Sequence, residues 1–269
     1  MPLSEPDLIL LREARERLEN PRLAARLIDM AGRPVELALD RLPFGLQERV
    51  HSAAQSSIER ALKVAIGTLG QRKPPGTPSS NRAHKLFTAA IGAAGGAFGL
   101  AGLAVELPIS TTAMLRSVAD IARSHGEDLQ SPEARLACVQ VFALGGTSRD
   151  DDATEKGYYA LRIALSRGIP ELVQVLTERG AIHEGMPVAI RFAARIASRY
   201  GVRVSEKLAA QAVPVLGALG GAAINLVFTQ HFQDMARGHF TVRRLERAYS
   251  PKVVREAYLS LTPRSGIIS

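Results

Sequence analysis

Glu106, Asn225, His231 and Asp234 are the residues whose types and settings suit chemistry, because each lies on or beside a long apolar run. A carboxyl group next to apolar surface is a candidate for a shifted pKa, and an imidazole on a matching face could serve as its base. With Asn225 to orient a polar group, such a set would fit a hydrolase or a lipid-modifying enzyme. Without a reaction, it would fit a lipid or isoprenoid ligand in an apolar cleft. A plainer reading of Glu106 is favoured: a charge at the membrane or solvent boundary of a helix. His231 and Asp234 stand three residues apart, as helix-borne metal ligands can, but such pairs arise by accident and neither a metal nor a cofactor is expected. Asp150, Asp151 and Asp152 are followed by no ligands at calcium-loop spacing, so capping and solvation explain them better. The chain contains no Gly-x-Ser-x-Gly elbow, Walker loop, Gly-x-Gly-x-x-Gly, His-Glu-x-x-His or cysteine cluster. No reaction is written in it.

The elements that must position these residues are marked by glycine. No charged residue occurs from Leu86 to Val105, and Gly92, Gly95, Gly96, Gly99 and Gly102 recur at helical spacing along one face. Each interior glycine costs a helix about 0.8–1 kcal/mol relative to alanine, so close backbone approach by a neighbour must offset it. A second uncharged run, Leu208 to Gln230, carries Gly217, Gly220 and Gly221. Fourteen residues beyond Gly92 stands Glu106, and fourteen beyond Gly217 stands His231, with Asn225 assigned to the same face. Fourteen residues make about four turns. The spacing predicts that Glu106, Asn225 and His231 meet, provided the two runs pack with matching polarity.

Composition bounds the fold. The chain has 269 residues, 46% of them apolar and 22% charged, with 5% aromatic and no tryptophan. Helix formers dominate and strand-like alternation is rare, which predicts an all-α, single multi-helix domain built around two glycine-rich helical hairpins. The net charge is +8, all of it outside the glycine-rich middle: residues 1–85 hold 14 basic against 10 acidic, 86–230 hold 13 against 13, and 231–269 hold 7 against 3. A basic border around apolar runs suits an anionic membrane surface. Nucleic acid is not expected, because the basic residues interleave with acids, as in Arg12-Glu13 and Arg15-Glu16. Cys138 is the single cysteine, so there is no intrachain disulfide, and it reads as a small core residue in a reducing compartment. The acidic N-terminus does not resemble a signal peptide.

Organisation follows from the breaks. Residues 1–70 read as a basic N-terminal helical arm, 71–81 as a Pro/Ser-rich linker and 82–269 as the glycine-rich helical body. Helices are expected over 5–30, in one or two pieces, over 35–40 and over 46–70. Pro108 is expected to open a new helix after a kink, and Ser131-Pro132 another. Asp152-Ala-Thr-Glu155 has the form of a capping box. Pro170 and Pro187 should begin helices ending near Gly180 and Gly201. Ser205 is expected to cap the approach to the second run, and Ser250-Pro251 to open a last short helix.

Five segments in order resemble the EcsC protein family: Phe87–Pro108, Phe142–Gly146, Asp150–Tyr159, Val213–Asn225 and His231–Phe240. The resemblance spans nearly the whole chain, including the Gly32-Arg-Pro34 and Arg41-Leu-Pro43 turns. It implies a family that is bacterial in the main and named after a gene accompanying an ABC transporter, with no established activity. The expected function is therefore non-enzymatic: a cytoplasmic protein associating peripherally with a membrane or with a membrane partner such as an ABC transporter. Leu86–Val105 would span about 30 Å as a helix, the minimum for crossing a bilayer. Its alanine and glycine content favours reversible association instead, helped by Arg72, Lys73, Arg82 and Lys85 just upstream.

Overall fold

The structure, a computed structural model, describes residues 2–19, 23, 44–70, 99–145, 157–179, 186–211 and 217–261. All regular secondary structure among them is helical: α1 (Glu5–Glu19), α2 (Phe44–Thr68), α3 (Gly99–Ser124), α4 (Pro132–Gln140) with a 3₁₀ turn at Val141–Ala143, α5 (Tyr158–Ser166), α6 (Ile169–Arg179), α7 (Pro187–Gln211), α8 (Gly217–Tyr249) and α9 (Pro251–Ser260). The linker, the 35–40 segment and the Asp152–Glu155 capping box lie outside the described residues. So do Arg72, Lys73, Arg82, Lys85, Gly92, Gly95 and Gly96. Gly99 opens α3, and Gly217, Gly220 and Gly221 form the first turn of α8.

The central element is α8, 33 residues and about 50 Å long. Its buried face, Ile224, Phe228, Phe232, Ala236 and Phe240, repeats at four-residue steps. α1 lies against it at Gly238, where a Cβ would stand 2.8 Å from Leu18 Cγ and 3.0 Å from the Ala14 carbonyl oxygen. The start of α1 is tied by Ser4, whose hydroxyl accepts from the Asp7 amide and donates to the Asp7 carboxylate. Phe142, in the 3₁₀ turn, plugs the centre of the core, with its ring 5.4 Å from Tyr200 on α7 and 5.2 Å from Phe232 on α8.

Two expected breaks do not occur. α3 continues through Pro108, although the proline lacks an N–H and a mid-helix proline costs about 3 kcal/mol. Tertiary contacts hold the turn: Leu107 and Thr111 are buried on either side, and Thr111 Oγ1 lies 2.7 Å from the Tyr200 hydroxyl. The Ser110 and Thr111 hydroxyls both donate back to the Leu107 carbonyl. α7 likewise runs through Gly201 to Gln211 and takes Ser205 into its interior rather than as a cap. Fully buried Tyr200 and Val204 anchor both sides, and Gly201 faces α2, where a Cβ would make an ordinary 3.7 Å contact with Ala54 Cβ. Asn225 and the basic segment from Arg237 to Tyr249 lie on one unbroken helix.

Candidate functional site

Glu106 leaves α3 one residue beyond the first uncharged run and is met inside the protein by two partners. Lys207 Nζ on α7 donates to Glu106 Oε1 at 2.6 Å, and Asn225 Nδ2 on α8 donates to the same oxygen at 3.3 Å. The lysine is 0% exposed and the glutamate 8%. Lys207 Nζ also stands 5.3 Å from the centre of the Phe228 ring, which gives the cation a π-face in place of water. Burial lowers the lysine pKa, and the charge of Glu106 opposes that shift. Burial also raises the nearby Tyr200 hydroxyl.

This contact fixes how three helices run. Glu106–Asn225, Ser117–Gln233 at 2.7 Å and, just past the end of α3, Glu127–Arg243 at 2.9 Å advance together, so α3 and α8 are parallel. Glu106–Lys207 and Thr111–Tyr200 advance in opposite senses, so α7 is antiparallel to α3. The start of α3, the end of α7 and the start of α8 therefore share one end of the group, and their described residues there, 99–105, 208–211 and 217–224, carry no charge.

His231 goes elsewhere. It lies six residues beyond Asn225 on one helix, which is about 120° round the axis and about 9 Å further along. Helix geometry thus separates two residues that the fourteen-residue spacing had grouped. The buried imidazole packs beneath Gly145, where a Cβ would meet Met235 Sδ at 2.5 Å and His231 Cε1 at 2.7 Å. Gly145 has φ +82°, so both its backbone and its surroundings demand glycine. Asp234 turns to Arg237, at 2.8 Å. Among the described residues no group of three or more His, Cys, Asp or Glu could hold a metal ion. The Cys138 thiol, fully buried, is pushed up to about 12 by burial, which leaves it without nucleophilic character.

Lys207 is the residue that sequence reasoning missed, although a signal existed. Glu106 is the first charge after one uncharged run and Lys207 the last charge before the other. Two polar clusters at the far end of α8 were missed as well. Glu127 accepts two hydrogen bonds from Arg243 and a third from Arg247. Burial alone would raise its pKa, but the two guanidinium groups hold it below the ordinary value. Arg162 on α5 grips Glu246 through two 2.7 Å bonds, while Tyr159 donates to the same carboxylate. The Tyr158 hydroxyl lies 2.8 Å from His239 Nδ1, and burial, with Arg162 and Arg243 nearby, keeps that imidazole neutral. Glu19 closes the cluster by accepting from the Tyr158 amide and the Tyr258 hydroxyl.

The chemistry open to the Glu106 site is limited by its partners. Its bonded oxygen is held by an ammonium and an amide, and the carboxylate keeps only 8% of its surface exposed. No described helix is long and apolar enough to cross a membrane. The model of the EcsC protein family matches residues 11–245, most of the chain, and the protein belongs to that family. No curated protein and no solved structure matches it.

Proposed function

We propose that this EcsC-family protein is a non-enzymatic, cytoplasmic protein that docks reversibly on an anionic membrane surface through the uncharged end of the α3–α7–α8 group. A membrane protein such as an ABC transporter is the natural neighbour in that position. One observation carries the reading. Val105 and Ile109, one turn apart on α3, are 67% and 41% exposed, and Leu226 on α8 is 38% exposed. Val105 precedes Glu106 and Leu226 follows Asn225, so the Glu106–Asn225 bond brings these apolar residues to the same level of the α3–α8 pair, nearer the start of both helices. The described residues there, 99–105 of α3, 208–211 of α7 and 217–224 of α8, carry no charge. Apolar side chains collected at an uncharged end suit the interfacial zone of a bilayer. Arg72, Lys73, Arg82 and Lys85 supply attraction to anionic headgroups, about 1 kcal/mol for each residue near the surface.

The test is flotation with phosphatidylcholine vesicles, with and without phosphatidylglycerol. The protein should float with the anionic vesicles at low salt, bind the neutral ones weakly and be released by high salt. The Val105→Asp/Leu226→Asp variant should stay folded and lose flotation. A wild-type chain that stays in solution with both vesicle types at low salt refutes the reading.

A further inference from the structure

We infer that the buried Glu106–Lys207–Asn225 contact is a polar catch: the hydrophobic effect keeps α3 closed on α7 and α8 in water, and the two buried charges favour release on the membrane. The inference rests on the membrane reading above and concerns how that docking end is controlled. Three observations carry it. The contact joins all three helices at one point, through a single carboxylate oxygen. It sits level with Val105, Ile109 and Leu226, three of the seven large apolar side chains exposed among the described residues. Beyond it towards that end, the described residues 99–105, 208–211 and 217–224 carry no charge.

The energetics of such a contact differ inside water and inside lipid. In water, parting the helices would expose Leu107, Tyr200, Ile224 and Phe228, all buried in the closed form, and the hydrophobic effect opposes this. At a bilayer that opposition falls, because acyl chains receive the same apolar faces. The ion pair then tips the balance. Closed, both charges have lost their hydration, and their mutual attraction only roughly repays that loss. Open at the headgroup level, Lys207 gains lipid phosphates through its flexible stem, and Glu106 regains water. Apolar residues in place of the pair would pack the helices equally well but remove the polar gain on opening. A switch needs that difference between its two states.

Hydrogen exchange of the wild-type chain, in solution and on vesicles containing phosphatidylglycerol, tests the catch. Amides of 106–112, 203–211 and 222–230 should exchange about tenfold faster or more on vesicles, while those of α2 keep their protection. Equal exchange in both settings overturns the catch, since the protein would then dock closed. The Glu106→Leu/Lys207→Met double variant should keep its fold and float about tenfold more weakly or worse than wild type. Flotation equal to wild type overturns the catch. Should the double variant fail to fold, exchange of the wild-type chain decides alone. A wild-type chain that never floats removes the membrane reading and the catch together, whereas one that floats with unchanged exchange removes the catch only.

Discussion

The two ends of the parallel α3–α8 pair are each held by a carboxylate and a cation, yet they are built on opposite terms. At the charged end, Glu127 receives Arg243 through two bonds and Arg247 through one, and both arginines keep part of their surface in water. Their planar forks suit a carboxylate, and the hydration they give up is small. At the uncharged end, Glu106 receives a lysine that has no contact with water at all. A lysine ammonium is strongly hydrated, so this pair surrenders much of what it gains. The first arrangement favours stability. The second is strict in geometry and weak in net stabilisation, which is the character expected of a contact retained to specify or switch a structure.

The largest expected effect breaks the uncharged end. Lys207→Met leaves Glu106 buried without its cation and should destabilise the fold by about 3–5 kcal/mol. Adding Glu106→Leu removes the stranded charge, and most of that loss should return. Urea denaturation of the two single variants and the double supplies the cycle. Strictly additive losses would mean that the pair contributes like ordinary independent contacts, and the contrast between the ends would disappear.

At the charged end a smaller and differently shaped loss is expected. Glu127→Gln keeps the shape but removes the charge that three arginine bonds address, a loss of about 1.5–3 kcal/mol. Because those arginines hold the folded Glu127 below its ordinary 4.5, its contribution is present above that pH and is lost as pH falls through the lower, folded value. The variant should therefore flatten the acid limb of the stability curve. A parallel loss at every pH would show that packing, not charge, is the source.

His239 refines the same comparison in a separate window. Its folded pKa lies well below the ordinary 6.5, from burial first and then from Arg162 and Arg243. The unfolded chain thus binds the proton more readily, so His239 contributes stability above about pH 6.5 that declines as the pH falls. His239→Gln should remove this decline between neutral pH and the onset of the Glu127 limb. An unchanged slope there would place the imidazole in water rather than beneath Tyr158.

Much of this was legible in the sequence, and the rest was hidden for identifiable reasons. The all-α class followed from helix formers and glycine spacing, because periodicity is local. Glu106 and Asn225 were found by counting from glycines, and the structure brings them together. Lys207 only borders an uncharged run in the sequence, and its meeting with Glu106 depends on the antiparallel course of α7, which is not a local property. Pro108 and Gly201 read as breaks since intrinsic propensity makes them so; Leu107, Thr111, Tyr200 and Val204 bury both sides and override it. Arg162 and Glu246 lie 84 residues apart in the chain, and no spacing rule joins them.

The smallest expected effect sets the scale for both ends. Arg191 on α7 and Glu171 on α6 form an ion pair at 3.3 Å with both side chains 57% exposed. The formal charges match those of Glu106 and Lys207, but water already solvates each partner and salt screens them. Ordering two long side chains also offsets much of the attraction, so Glu171→Gln should change stability by about 0–1 kcal/mol, and by still less at high salt. Burial, not charge count, would then separate the three pairs: strict and switchable at Glu106, stabilising at Glu127, nearly silent at Glu171. A loss at Glu171 as large as that for Lys207→Met would show that burial does not set the ranking, and the argument that distinguishes the two ends of the molecule would fail with it.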